Sequence, residues 1–327
     1  MLTPVSGHSP ESRIKRSAAI SVLGAALLAT RVRVEAQSLV PLKAAGVPEE
    51  SATPVLWAEQ SGMFRRNGLT VELDSQRSGT AIAAGVAGGG YQVGKSSIIP
   101  LITAFAKGIP FVLVAPGGLY RATKPHIAMI VATDSAIHTA LDMNGKTLGV
   151  SALDDLYTLG IRWWMDKNGG DSSTLKIVEL PLPAVTDAIV AGRIDAGGSA
   201  TPALQAALDS GKVRVLSYMF DAIAPEFMYT GWFSNKSYVA SHLEIMRDFS
   251  RAERQAAAYV NGHPAQTVDA LSKFTAINPD VIAKMTRAQM GTTLDPKLIQ
   301  PVVDVCVRYK VIPAPIDAAQ MIASQLT

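Results

Sequence analysis

The chain has 327 residues, 48% apolar and 17% charged, with 30 basic and 27 acidic side chains. That length allows about two domains at the ~150-residue prior, and the composition lies far from that of a disordered chain. The formal charge of +3 comes from residues 1–36, where Arg13, Lys15, Arg16, Arg31 and Arg33 stand against Glu11 and Glu35; 30 less five and 27 less two leaves 25 charges of each sign. A neutral body excludes nucleic acid or a charged membrane surface as the expected partner.

The N-terminus has the plan of a secretory signal. Arg13-Ile-Lys-Arg16 is basic, the fourteen residues Ser17–Thr30 are apolar, and Val34-Glu-Ala36 offers small residues for cleavage before Gln37. An apolar run that short cannot span a bilayer as a helix, which takes ~20 residues. Residues 1–36 are therefore expected to direct export to the periplasm and to be cleaved near Ala36.

From Leu39 onward, short apolar runs alternate with helical periods. Leu39–Ala45 reads as a strand, Gly46–Ser51 as a loop, and a helix runs from there to about Arg66. Leu69–Leu73 is a second strand and Ser78–Gly88 an alanine-rich helix. Tyr91–Val93 reads as a third strand, and Gly94-Lys-Ser-Ser97 as a turn into a helix over Ser97–Lys107. Ile98, Leu101, Ile102 and Phe105 form one face of that helix. Phe111–Ala115 is a fourth strand, and the alternation predicts a mostly parallel, doubly wound α/β sheet.

The pattern then restarts. Ile127–Ala132 is extended, Leu141–Val150 holds a turn and a strand, and Asp155–Lys167 is a helix stopped by Gly169-Gly170. Lys176–Leu180 (strand), Ala184–Ala191 (helix), Ile194–Gly197 (strand), Thr201–Ser210 (helix) and Val213–Leu216 (strand) complete a second unit. From Tyr238 the tail is helical, with Ile245, Phe249, Ala252, Ala256 and Tyr259 on one face. No flexible linker separates the units, so the chain is expected to cross between two lobes on strands, outward at His126–Val131 and back at Met228–Phe233. The boundaries that follow are 37–124 plus 232–327 for lobe 1 and 125–231 for lobe 2. Such lobes leave a cleft at the strands' carboxyl ends, where α/β sheets bind ligands, and closure about a hinge follows.

Gly89–Ser96 satisfies the phosphate-loop string G-x-x-x-x-G-K-[ST]. A phosphate loop needs a strand before its first glycine, however, and Thr80–Gly88 reads as a helix. Phe111–Ala115 also ends without the aspartate that would hold Mg²⁺. Nucleotide binding is not expected. His8, His126, His138, His242 and His263 lack metal-ligand spacing, so neither metal nor cofactor is expected. His126 reads as a hydrogen-bonded hinge histidine, and Cys306, the single cysteine, as a buried inert thiol. Ser96, Ser97 and Ser199 have no identifiable base and no G-x-S-x-G elbow is present, so no catalytic residue is assigned.

Candidate ligand contacts are the polar residues of strand-to-helix turns: Glu50 and Ser51, Ser78 and Gly79, Lys95, Ser96 and Ser97, then Asp154 and Tyr157 with Leu153, and Ser199 and Thr201. Each is equally well explained as a helix cap. Lys95 is expected to be the charge partner of an anionic solute. Asp154 or Asp155, where it faces the cleft, calls for an amine or hydroxyl on the same solute. Trp57 reads as core or cleft wall, and Arg77 and Arg121 as loop cations.

Four phrases carry a resemblance: Pro54–Glu72, which contains A-x-x-x-G-x-F-x-x-x-G-L-x-V-E, then Ala106-Lys-Gly-Ile-Pro110, Leu141–Val150 and Ala191-Gly-Arg-Ile-Asp-Ala196. With these, Leu39 to about Ile312 resembles the solute-binding proteins of bacterial ABC importers, in their nitrate/taurine/alkanesulfonate group, related to thiamine-precursor-synthesis proteins. The resemblance implies a type II periplasmic-binding-protein fold, with two doubly wound sheets joined by two crossover strands and a helical C-terminal tail. It implies a monomeric, non-enzymatic protein that delivers a small anionic organic solute, a sulfonate or carboxylate, to ABC permease membrane subunits. Alternatives on the same fold are an enzyme, thiamine-pyrimidine-synthase-like or decarboxylase-like, and a ligand-sensing subunit. Where that family usually reads Gly-x-x-Asp-x-Gly, this chain has Gln92 and then Lys95, which points to those two positions as the source of its ligand preference.

Overall fold

The computed structural model describes residues 38–76 and 78–326. The expected signal segment and Arg77 lie outside them. In chain order, the first run is β1 (Val40–Gly46), α1 (Thr53–Gln60), α2 (Met63–Arg66), β2 (Leu69–Ser75), α3 (Gly79–Ala87), β3 (Val93–Ser97), α4 (Ile98–Ala106) and β4 (Phe111–Pro116). After β5 (Gly118–Arg121) comes the second run: β6 (Ile127–Ala132), β7 (Thr147–Val150), α5 (Leu156–Lys167), β8 (Lys176–Glu179), α6 (Val185–Val190), β9 (Ala196–Ala200), α7 (Ala203–Asp209) and β10 (Val213–Ser217). The chain returns through β11 (Glu226–Met228) and β12 (Thr230–Asn235). The tail holds α8 (Lys236–Ser241), α9 (Leu243–Gly262), α10 (Val268–Thr275), α11 (Pro279–Lys284), β13 (Gln289–Met290) and α12 (Gln300–Arg308).

These strands make two five-stranded sheets wound alike: β2-β1-β3-β12-β4 and β8-β7-β9-β6-β10. In each, four strands run parallel, and the one inserted beside the last is antiparallel to both neighbours. The inserted strands are β6, which opens the second run, and β12, which closes the circuit, so both expected crossings are strands of the sheets they enter. Between the sheets, β5 pairs antiparallel with β11 and with β13.

Helices cover both faces of each sheet, and the strands are correspondingly apolar on both sides. In β6, Ala128 and Ile130 pack with Val185, Ile189 and Leu204 of α6 and α7, whereas Met129 and Val131 join the core that α5 covers. Leu42, Ala44, Val112 and Val114 pack under α1 and α9, where Phe64 stacks on Phe249 at 5.6 Å between ring centroids. The stripe of α9 turned inward is Met246, Phe249, Ala252, Ala256 and Val260; Ile245 and Tyr259 flank it half-buried. The remaining core runs on from Ile82 of α3 and Ile98 and Ile102 of α4 through Phe220 and Phe227 to Leu159 and Ile161 of α5. Helix α12 contributes Val302, Val303 and Cys306 to it and packs against both α4 and α5. At that seam Arg308 lies 4.3 Å from the Trp163 ring and 5.9 Å from the Tyr309 ring, Arg162 lies 4.4 Å from Tyr309, and the Tyr309 hydroxyl donates to Asp166 at 2.6 Å.

Three local differences from the sequence reading have clear causes. The helix expected to run to Arg66 breaks at Gly62, whose φ of 73° is left-handed, and the chain turns into β2 through Gly68 at φ 76°. The Glu59 carboxylate then accepts the Val71 N–H at 3.1 Å, so the A-x-x-x-G-x-F-x-x-x-G-L-x-V phrase is a folding device with Ala58, Phe64 and Leu69 buried. The third strand is Val93–Ser97 rather than Tyr91–Val93, so Gly94-Lys-Ser-Ser97 is not a turn. This strand is paired on both sides, and a Cβ at Gly94 would come within 2.6 Å of Ile82 and 2.7 Å of Phe233. Its N–H and C=O groups serve the ladder, which leaves no free loop amides to cradle a phosphate. In the second sheet the strand is Ala196–Ala200, later than the expected Ile194–Gly197, because Gly197 and Gly198 let Val185 and the Tyr157 ring lie directly on the backbone. Among the described residues no helix is long and apolar enough to cross a membrane.

Candidate functional site

The parallel strands of both sheets deliver their carboxyl ends, and the two antiparallel strands their beginnings, to one cavity of about 280 Å³. That is the small end of the ~300–1,000 Å³ usual for ligand sites. Glu49, Glu50 and Ser51 follow β1, Ser97 ends β3, Ser151 and Asp155–Tyr157 follow β7, and Ala200 and Thr201 end β9. His126 and Ile127 open β6, Tyr229 and Thr230 open β12, and Leu182 and Phe220 complete the wall.

Five of the sequence candidates meet here: Glu50, Ser51, Ser97, Tyr157 and Thr201. Asp154 is exposed beside the cavity, and it is its neighbour Asp155 that lines it. Asp155 also caps α5, accepting the Thr158 N–H at 2.7 Å and the Ser151 hydroxyl. Ser78 caps α3 through the Ala81 N–H, and Gly79 sits over Ser96, so this trio forms a strand–helix contact away from the cavity. Ser199 is buried in β9 opposite Ala128.

Lys95, expected to be the charge partner of an anionic solute, already has a partner within the protein. It is 1% exposed, and its ammonium is ion-paired with Glu49 and donates to Ser51 Oγ at 2.8 Å. The reason is topological: β3 is a central strand, so the side chain must run beneath the loop that follows β1. A second pair lies beside it. Glu50 accepts from Arg287 Nε with one oxygen and from the Ala288 N–H at 3.1 Å with the other. Arg287 in turn donates to Pro264 O at 2.9 Å and Thr267 Oγ1 at 3.3 Å. Burial pushes the Glu50 carboxyl above its usual range, against the pull of Arg287. Arg287 escaped the sequence reading because nothing in Met285-Thr-Arg-Ala288 marks it. Segment 286–288 also receives the Thr201 hydroxyl on Thr286 O at 3.0 Å.

The cavity's aromatic wall is Tyr157, Phe220, Tyr229 and His126. Tyr157 lies over Gly198 and Tyr229 over Gly118, and in both places a Cβ would overlap the ring. Burial raises both phenol pKa values. Tyr229 went unnoticed in the sequence, although it immediately precedes β12 as His126 precedes β6; the two rings are 5.5 Å apart. His126 is 4% exposed, with Nε2 buried and without a hydrogen-bond partner among the described residues. Desolvation, and secondarily the Lys124 charge, push its pKa down to about 4, so at neutral pH it is a neutral imidazole.

The other expected contacts are structural. Gln92 Oε1 accepts the Lys43 N–H at 2.8 Å, tying β3 to β1, so its departure from the family pattern concerns the sheet. Trp57 stacks on Tyr259 at 5.0 Å in the core beside α9, and Arg121 pairs with Glu226 at 2.7 Å across β5 and β11. Cys306 is buried with its thiol pushed up to about 12. Among the described residues no group of three or more His, Cys, Asp or Glu side chains is placed to hold a metal.

The fold is that of periplasmic binding proteins. The aliphatic sulphonate binding protein SsuA of Escherichia coli superposes with a TM-score of 0.73 at 20% identity, covering 88% of this chain and 99% of that one. The alkanesulfonate-binding protein SsuA of Xanthomonas axonopodis pv. citri, solved bound to MOPS, gives 0.67 at 17% identity over 86% and 98%. A desulfurization enzyme, DSZB, gives 0.64 at 16% identity over 88% and 97%, so the fold carries catalysis as well as binding. No curated protein matches the sequence. The family model described as NMT1/THI5 like matches residues 49–267, more than half of the chain. The chain belongs to the NMT1/THI5-like family.

Proposed function

We propose that the protein is an exported solute-binding protein that captures a small organic molecule between its lobes and delivers it to the membrane subunits of an ABC permease. Lobe 1 is 37–124 with 232–327 and lobe 2 is 125–231; the N-terminal segment directs export to the periplasm and is cleaved near Ala36. The observation that carries this reading is the convergence of both sheets' carboxyl ends on one cavity whose wall is four aromatic rings and a set of hydroxyls and carboxylates. The sulphonate-binding names of two structural neighbours agree with it.

An enzyme on this fold is the second reading, favoured by the neighbour named as a desulfurization enzyme. The cleft offers it little. Cys306 lies in the core among Val302 and Val303, outside the cavity lining, and His126 is held neutral with no nucleophile hydrogen-bonded to its Nε2. Nucleophilic catalysis needs that coupling of nucleophile and base.

Charge narrows the solute. Glu49 and Glu50 are each matched by a buried cation, which leaves Asp155 as the carboxylate facing the cavity without one. The solute should present an N–H or O–H donor there, and a flat or apolar face to Tyr157, Phe220 and Tyr229. A thermal-shift screen of the monomeric protein against sulfonates, carboxylates, amino-substituted acids, nitrate, pyrimidines and nucleotides tests this. Stabilisation by an organic solute, with compaction by small-angle scattering, is the expected result, because ligand binding to the folded state raises apparent stability. Stabilisation by ATP·Mg alone, or turnover of the stabilising compound, would refute it.

A further inference from the structure

Two neighbouring glutamates each neutralise a buried cation, and the two pairs are built differently. In the Glu50–Arg287 pair both side chains are buried, at 10% and 9% exposure, and both carboxylate oxygens are engaged. In the Glu49–Lys95 pair the lysine side chain is wholly buried but the Glu49 side chain is 42% exposed. Glu49 Oε1 alone takes the bonds from Lys95 and from Ser51 at 3.1 Å. Glu49 precedes a short 3-10 turn at the position of its cap, and its side chain makes no capping hydrogen bond. The carboxylate is thus held by the cation and one hydroxyl, and it borders water.

We propose that Lys95 and Ser51 form an anion subsite that Glu49 fills in this structure, and that the carboxylate or sulfonate of a solute takes the place by displacing Glu49 outward. The inference rests on the solute-binding reading and adds how an acidic group enters a cleft that shows no open cation among the described residues. Geometry supports it. Ser51 and Glu49 both line the cavity, and Lys95 Nζ lies 2.8 Å from Ser51 Oγ, one side chain behind the wall. A buried ammonium left without an anion is strongly unfavourable, so Glu49 can leave only as another anion arrives. The Glu49 carboxylate already borders water, so swinging out completes its hydration and leaves no charge buried elsewhere. The ammonium has three donors, and a tetrahedral or planar oxyanion can satisfy those that a single carboxylate oxygen does not. Selection follows: a solute with no acidic group leaves the pair closed, and Glu49 excludes bulk anions that bring no further contacts.

The test is exchange in the variant that lacks the resident anion. Tm is measured for wild type, Glu49→Gln and Glu49→Gln/Lys95→Met against sodium methanesulfonate or sodium acetate, with sodium chloride at matched ionic strength as reference. The expected result is anion-dependent stabilisation of Glu49→Gln with half-saturation at least tenfold lower than in wild type, and its loss in the double variant. Equal responses of wild type and Glu49→Gln would overturn the proposal, as would persistence of the response without Lys95. Should Glu49→Gln not fold in chloride, methanesulfonate in the refolding buffer is expected to restore cooperative melting, and failure to do so also overturns it. An organic solute that stabilises wild type while Glu49→Gln gains no anion response would sink this subsite alone. An anion response in Glu49→Gln with no stabilising solute for wild type would keep the subsite and sink the solute-binding reading.

Discussion

Replacing Arg287 by methionine removes three donors and one charge from beside Glu50. The Glu50 carboxylate, 10% exposed, would keep only the Ala288 N–H at 3.1 Å, while Pro264 O and Thr267 Oγ1 lose their partner. Removing one member of a buried pair costs about 3–5 kcal/mol. At ~2–4 °C per kcal/mol for a chain of this size class, the melting temperature should fall by about 10 °C. The pH dependence identifies the cause. Burial already raises the Glu50 pKa, and without Arg287 it must rise further above the ~4.3 of an unfolded glutamate. A raised carboxyl pKa contributes stability below the unfolded pKa and loses it as pH climbs through the folded one, so the deficit of Arg287→Met should be small near pH 4 and full at pH 7. Glu50→Gln/Arg287→Met, which buries a neutral amide instead, should recover part of the loss at pH 7. Urea unfolding of the three proteins from pH 4 to pH 8 measures this. A loss below about 1 kcal/mol that does not change with pH, or a double variant no more stable than Arg287→Met at pH 7, would refute the buried-clamp account.

The remaining tests address other parts of the site. His126, held neutral down to about pH 4, should lower stability progressively as pH falls from 6.5 to 4, by about 3 kcal/mol in all, because the unfolded chain takes a proton that the native imidazole refuses. His126→Phe should flatten that limb of the pH–stability curve, and an unchanged slope would count against the assignment. Gly198→Ala places a methyl in the Tyr157 ring and should cost about 1–3 kcal/mol while weakening any solute found by the screen; a Tm equal to wild type would show that the ring is free to move. The Cys306 thiol, buried and pushed up to about 12, should react with a disulfide reagent only at the rate of unfolding, and fast labelling in native buffer would contradict its burial.

Much of the fold was legible because its signals are local. β6 was readable to the residue at Ile127–Ala132, since an apolar run buried on both faces has no competing period. The strands that slipped were β3 and β9, Val-Gly-Lys-Ser-Ser and Ala-Gly-Gly-Ser-Ala, whose residues favour turns by propensity. They are strands because helices and rings crowd their backbones, a tertiary cause that no window of sequence contains. At the site, the rule that ligands sit at strand ends found Ser51, Ser97, Tyr157 and Thr201, which lie in the chain where the rule looks. It missed Arg287, which reaches Glu50 across 237 residues, and it passed over Glu49, the partner of Lys95, beside Glu50. Pairing of charges is a long-range property, and a lysine's exposure cannot be read without knowing which strand is central.

The seam between α12 and α5 joins the two sheets a second time, apart from the strands that pass between them. Arg308 has three partners within reach: the Trp163 ring at 4.3 Å, the Tyr309 ring at 5.9 Å and Asp166 at 4.0 Å. A cation over a ring face contributes about 0.5–1 kcal/mol at an exposed site, and an exposed ion pair at that separation about 0–1 kcal/mol. A guanidinium so placed has an aromatic face and a carboxylate of α5 within reach at once. The apolar packing at the seam is specific, with Val302, Val303 and Cys306 buried against α4 and α5 and the Tyr309 hydroxyl bonded to Asp166, so the adaptable contacts there are those of Arg308. The other connection is the paired β5 and β11 strands, on which the chain passes between the sheets twice.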